Sequence, residues 1–202
     1  KYVKGQFMFF KEGEVPEGFQ SIKKLKKKEP NLKEQLRDLY TLDRQTDLDS
    51  VDIWYDFERY FIAIDGLVYY QPFYKDFYRA AYRTMLEDGV RHFELRVNLT
   101  GPLYDIEHES GYFNGDTIVA YHQALVQEFR EEYPDFNVKL IYTSLRFFPQ
   151  ELLEAKLNEA FELRKKYPDW VVGFDLVGEE DNGETTDYFR SMWLKLKDLE
   201  KE

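Results

Sequence analysis

An α/β fold built on a parallel sheet is predicted by two features of this sequence. From residue 52 onward, stretches of helical periodicity alternate with short β-branched or aromatic runs. The connections between them are long enough for right-handed crossovers. One run, Trp170-Val-Val-Gly-Phe-Asp-Leu-Val-Gly-Glu-Glu-Asp181, stays apolar for most of its length and then ends in a glycine and three carboxylates. A buried parallel strand reads this way when its C-terminal end opens into a polar site. In a β/α barrel, that end of each strand is where chemistry is placed. A closed eight-fold barrel takes ~250 residues, whereas this chain has 202, with three clear strands and a fourth candidate near the N-terminus. The expectation is therefore part of a barrel.

Residues 1–50 form an irregular N-terminal segment, and the barrel-like domain occupies 51–202. Within the first part, Tyr2 to Phe10 suits a strand and Glu12 to Gly18 a Pro/Gly-punctuated turn. The basic run Lys23 to Lys28 reads as a solvated face, and residues 31–41 as a short helix with Asn31 as N-cap. Asp47, Asp49 and Asp52 sit in an acidic loop that lacks the central glycine and terminal Glu of a calcium-binding EF-hand. Helices follow at 52–64 and 71–88, then a strand at 90–98 and a long loop at 99–115. Next come a helix at 116–132, a strand at 136–145, a helix at 150–166, a strand at 170–177 and a last helix at 184–200. Ile118, Leu125 and Phe129 share one face of their helix, with Tyr121 or His122 between them, and Leu153, Leu157, Ala160 and Phe161 do the same in theirs.

Bulk chemistry narrows the partners. A formal net charge of -11 repels phosphate backbones, so nucleic acid is not expected. No apolar run approaches the ~20 residues that span a bilayer, so no membrane partner is expected. With no cysteine there is neither a disulfide framework nor a thiolate metal site. The compartment stays open, because the chain starts at Lys1 rather than Met and a targeting signal can precede it. Asn98-Leu99-Thr100 is a glycosylation sequon that matters only if the protein is secreted. Aromatic residues make up 18% of the chain. Beside carboxylates they suit sugars or nucleosides, and equally they fill large cores.

Several side chains are candidates for chemistry. Strand 90–98 places Arg91, Phe93, Leu95 and Val97 on one face and His92, Glu94, Arg96 and Asn98 on the other. In a barrel the second face meets the lumen, where charges need partners. Either Glu94 and Arg96 form a bracing pair, or Glu94 or His92 reaches a reaction centre. Val171, Gly173, Asp175 and Val177 share a face of the last strand, which makes Asp175 a second inward carboxylate. Gly173 offers a place for close approach, and Gly178 a backbone contact for a ligand. Trp54, Phe57, Glu58 and Phe61 form a stripe at helical spacing, either core or a stacking wall with a hydrogen-bonding tip. His122 reads as an ordinary helix residue, while His108 lies in a loop among Asp105, Glu107 and Glu109.

Three of these segments carry a resemblance. Trp54-Tyr-Asp-Phe57-Glu-Arg-Tyr-Phe61 with Gly66-Leu67 resembles the W-x-x-F helix of the growth-factor-type (type 2) adenosine deaminases. Phe93-Glu94-Leu95-Arg96 resembles that family's E-[IV]-R strand. Gly173-Phe174-Asp175-Leu176-Val177-Gly178-x-Glu180-Asp181 is similar to its G-F-D-L-V-G-x-E-D signature. The resemblance implies an internal portion, about strands 2–4 with their helices, of a (β/α)8 TIM barrel of the metal-dependent hydrolase type. It implies zinc as cofactor and hydrolysis of the 6-amino group of a small-molecule nucleoside, adenosine or 2′-deoxyadenosine, releasing ammonia. Trp54, Phe57, Glu58, Phe61 and Gly178 would contact substrate, and Glu94, Arg96 and Asp175 would support the barrel interior. Where the family can carry a His after its third strand, this chain has Leu145, which with His108 is a candidate site-lining residue.

The chain also departs from the family. It contains neither the H-x-H of the first barrel strand nor the H-A-G-E segment with a zinc His and the catalytic Glu, and it lacks the disulfide cysteines of animal members. Three scattered histidines do not make a zinc site, which needs three or four protein ligands. The expectation is a chain without metal ligands or catalytic residues of its own, inactive alone, with the zinc ligands before Lys1 and after Glu202. Family resemblance suggests secretion or a periplasmic location and leaves the cytoplasm open. Two other readings stand beside it: a metal-free binding or signalling module, and a glycosidase-like barrel using Glu94 and Asp175. An open sheet of three or four strands leaves edges unpaired, so aggregation, a homo-oligomer or a larger assembly is expected.

Overall fold

The computed structural model describes residues 5–38, 41, 53–99, 103–106, 114–181, 183–199 and 201. In chain order the elements are α1 (Ile22–Leu25), α2 (Leu32–Asp38), α3 (Ile53–Val68), α4 (Gln71–Glu87), β1 (His92–Val97), α5 (Gly115–Arg130), β2 (Asn137–Leu145), α6 (Gln150–Lys166), β3 (Val171–Val177) and α7 (Arg190–Leu199). The chain divides into two compact units, Lys1–Phe77 with Pro102–Tyr112, and Tyr78–Gly101 with Phe113–Glu202.

In the first unit, α3 runs straight through Gly66 to Val68, four residues beyond the expected end. The glycine serves close approach. A Cβ on Gly66 would stand 2.1 Å from the Phe7 carbonyl oxygen and 2.5 Å from Met8 Cγ. The extended segment lying there was expected to be a strand, but its described residues form none. Its backbone is spent on the helix instead. Phe7 N–H donates to the Ala63 carbonyl at 2.8 Å, and Phe9 N–H to the Tyr104 hydroxyl at 3.0 Å. Tyr104 in turn donates a short hydrogen bond to the Gly66 carbonyl, and its backbone pairs with Tyr69 and Gln71. One tyrosine thus ties the N-terminal segment, α3 and the start of α4 together. The basic run at 23–28 begins as the single turn α1, whose N-cap Ser21 side chain accepts from Lys24 N–H. The Asp47, Asp49 and Asp52 loop lies outside the described residues.

The second unit holds a three-stranded sheet in the order β1-β2-β3, parallel throughout. Phe93, Leu95 and Val97 are in register with Val138, Leu140 and Tyr142, and the three β2 residues are fully buried. Leu153 and Leu157 of α6 and Met192 of α7 close with Phe189 over this face, packing against Phe174 and Leu176 of β3. Beside β1, Tyr82 meets Phe93, Phe129 and Phe136 at centroid distances of 5.3, 6.1 and 5.6 Å. Asn114 caps α5 through its side-chain oxygen, accepting from Thr117 N–H at 3.2 Å. The last helix starts at Arg190 rather than 184, because residues 185–190 form successive i→i+3 turns.

One register detail corrects the expected face of β3. Val171 pairs with Leu140, but Gly173 pairs with Ile141, so Val172 is an extra residue. Such a bulge shifts the alternation by one. Val171 consequently lies buried with Leu140, on the side opposite Gly173, Asp175 and Val177.

Two predictions follow from this packing. Gly66→Ala should displace the N-terminal segment, cost ~1–3 kcal/mol and speed exchange of the Phe7 amide; unchanged exchange there would refute the close-approach role. The second concerns pH. Burial pushes the His122 imidazole down to about 3, and its Nδ1 shares a 2.6 Å hydrogen bond with the Tyr82 hydroxyl. Below about 6.5 the unfolded chain binds a proton that folded His122 refuses. Its stabilising effect is therefore complete above that pH and is lost on acidification towards about 3, at up to ~1.4 kcal/mol per pH unit. Asp65 acts in the opposite sense, since burial raises it to about 6. The folded chain holds that proton more tightly, so this term weakens stability as pH rises from the ordinary carboxylate range through 6. Denaturant melts at pH 7, 5 and 4 should show a flatter acid limb in His122→Gln than in the parent chain; equal limbs would contradict the assignment.

Candidate functional site

The C-terminal rim of the sheet is built from the ends of β2 and β3. Leu145, at the end of β2, pairs with Val177 and is 38% exposed. Gly178 follows β3 with φ +120°, a backbone conformation that favours glycine. Below it, on the face away from the helices, Arg96 Nε lies 2.6 Å from Asp175 Oδ2. This pairing differs from the expected one, because Arg96 reaches across β2 to Asp175 rather than to Glu94 on its own strand. Residues two apart on one strand share a face but sit ~7 Å apart, whereas the bulge turns Asp175 to that same face. Glu94 is exposed and has no ion-pair partner among the described residues. Gly173 is not needed for close approach, since a Cβ there would make only ordinary contact with Ile141, at 3.5 Å.

A residue that the sequence reading passed over dominates the rim. Arg146 comes directly after β2, and its side chain is only 9% exposed. Its Nη1 lies 3.1 Å from Glu180 Oε1, and its Nη2 donates to the Glu184 carbonyl at 3.0 Å. The available signal was a lone cation at the end of an apolar strand, set before the aromatic pair Phe147-Phe148. Glu180, one of the three terminal carboxylates, is thus committed to a buried cation.

In the first unit, Trp54, Phe57 and Phe61 form a row of edge-on rings along α3, with centroids 5.8 and 4.9 Å apart. The row is not core. Phe57 and Phe61 are exposed, and Trp54 and Glu58 are partly buried. Apolar rings left open beside a carboxylate can stack on a flat ligand and offer its polar edge an acceptor. His108 lies outside the described residues.

These groups do not fit a zinc ion. Among the described residues no group of three or more His, Cys, Asp or Glu is placed to hold a metal. His122 is sealed beside Tyr82, and His92 stands exposed on β1. Among the described residues, no helix is long and apolar enough to cross a membrane.

The chain is 37% identical over 143 residues to an adenosine deaminase of Phlebotomus duboscqi, covering 70% of this chain and 27% of that protein. It is 33% identical over 148 residues to adenosine deaminase 2 of Homo sapiens, covering 72% of this chain and 28% of the relative. This chain is a homologue of the adenosine deaminases. Adenosine deaminase 2 of Dictyostelium discoideum extends the match to 174 residues at 33% identity, 82% of the chain and 30% of the relative. The chain thus spans less than a third of the length of these deaminase relatives. No protein-family model matches it.

The Arg96–Asp175 pair is half open to water, with 62% and 37% of the side chains exposed. Exposed pairs contribute little. A double-mutant cycle with Arg96→Met and Asp175→Asn should give a coupling of ~0.2–1 kcal/mol, and a coupling well above that range would show that the pair is a buried brace.

Proposed function

We propose that this chain forms about strands 2–4, with their helices, of a zinc-dependent (β/α)8 TIM barrel that deaminates adenosine or 2′-deoxyadenosine. The observation that carries this reading is the homology to adenosine deaminases over 70–82% of the chain. Consistent with it are a parallel sheet in strand order and a rim that ends at Gly178 with a glycine-type backbone. Trp54, Phe57, Glu58 and Phe61 are assigned to substrate contact, the rings through stacking and Glu58 through a hydrogen bond. Gly178 is assigned to a backbone contact with the purine, where the missing Cβ lets the base approach. Glu94, Arg96 and Asp175 support the sheet's open face, and Leu145 lines the rim. A zinc ion would lower the pKa of a water in such a reaction. Its ligands and the proton-transfer groups belong to no described cluster of this chain, so the chain's own contribution is to shape and orient.

The glycosidase reading meets a geometric obstacle. Glu94 is in register with Lys139, while Asp175 is in register with Thr143 and lies a further strand away. That offset is ~13 Å along the strands and ~10 Å across them, beyond the ~5–10 Å that paired catalytic carboxyls require.

The proposal is tested by following the adenosine absorbance band with the complete gene product, zinc-loaded, beside the 202-residue chain alone. Turnover is expected in the first and none in the second. Trp54→Ala and Gly178→Ala should each raise KM for adenosine ~10-fold, about 1.4 kcal/mol. A zinc-loaded protein that leaves adenosine and deoxyadenosine untouched would sink the reading.

A further inference from the structure

The geometry points to Arg146 as a positioning residue that latches residues 178–181 and 183–184 and so sets where the Gly178 backbone lies at the rim. Strand pairing carries the chain only as far as the Val177 carbonyl, because the β2–β3 register ends with Leu145 on Val177. Beyond that point Arg146 holds the chain at Glu180 and Glu184. Its backbone N–H donates to the Val177 carbonyl at 2.9 Å, and its guanidinium turns inward beneath the segment.

Among the described residues, both acceptors that the guanidinium meets belong to this one segment: the Glu180 carboxylate at 3.1 Å and the Glu184 carbonyl at 3.0 Å. A desolvated cation is tolerated only with such partners. Burial of Arg146 and the fold of the segment therefore require each other. Two glycines make the closure sterically open. Gly178 supplies φ +120°, with Arg146 Cγ 3.6 Å from where its Cβ would be. A Cβ on Gly183 would stand 2.9 Å from the Glu179 carbonyl oxygen and 3.5 Å from Arg146 Nε. The two terminal nitrogens thus grip the segment at 180 and 184, on either side of Gly183, while Nε is buried with no acceptor among the described residues.

The consequence for substrate rests on the deaminase reading of Gly178; the latch itself does not. Arg146→Met keeps most of the side-chain volume and removes every side-chain donor, while the backbone N–H to Val177 stays. In the complete gene product, amides of 178–184 should exchange ~10-fold faster with those of β2 and α6 unchanged. KM for adenosine should rise ~10-fold with kcat changed less than ~3-fold, and Arg146→Lys should fall between the two. Unchanged exchange in 178–184, or faster exchange spread equally over β2 and α6, would overturn the latch. If Arg146→Met does not fold, Glu180→Ala replaces it, with ~3-fold faster exchange of the same amides expected and no change overturning the proposal. A parent protein that exchanges as predicted but never turns over a nucleoside would defeat the deaminase reading and leave the latch standing.

Discussion

The extra residue at Val172 is the constraint on which the site depends. A strand has a period of two, so a single insertion exchanges the faces of everything after it. Val171 stays with Leu140 on the helix side, where it is buried. After the shift, Phe174 and Leu176 pack on α6 and α7, and Asp175 meets Arg96 on the other face. Without the bulge, Val171 would leave the core, or Asp175 would enter an apolar layer that offers it no partner. The bulge lets one strand satisfy both ends of the sheet.

The same unit handles its polar groups in three different ways, and the local dielectric decides which. His122 is sealed among aromatic rings and stays neutral, sharing one hydrogen bond with Tyr82. Burial also raises Tyr82, so neither member of that pair carries charge at neutral pH. Arg96 and Asp175 pair on a face that water still reaches. Arg146 has neither option. A guanidinium cannot discharge, and it is closed off from solvent, so a chain segment must fold over it with the right acceptors.

How much of this was legible in the sequence follows from the physics of each signal. Strand–helix alternation was visible because hydrophobic periods of 2 and 3.6 are local, and the three strands, α5 and α6 lie where those periods put them. Failures arise where a distant group decides. The expected helix stops at 64, yet α3 continues to Val68 through Gly66, which lies against the Phe7 backbone. The residues near Phe7 read as a strand, yet their donors find Ala63 and Tyr104. Arg96 has Glu94 two residues away and pairs with Asp175, 79 residues on. Arg146 went unnoticed because nothing in its neighbours reveals that a loop more than thirty residues later closes over it.

That last case changes what the acidic run after β3 means. A cluster of carboxylates at a strand's C-terminal end invites assignment to acid–base chemistry, which requires a group free to exchange its proton. Glu180 is instead paired with Arg146, and Gly178 two residues before it is fixed by the same closure. The run is better understood as the counterpart of Arg146, a charge placed so that an arginine can be buried beneath a glycine. On this view the acidic run at the end of β3 gives the rim its shape, and function has to be argued from the site rather than from the fold.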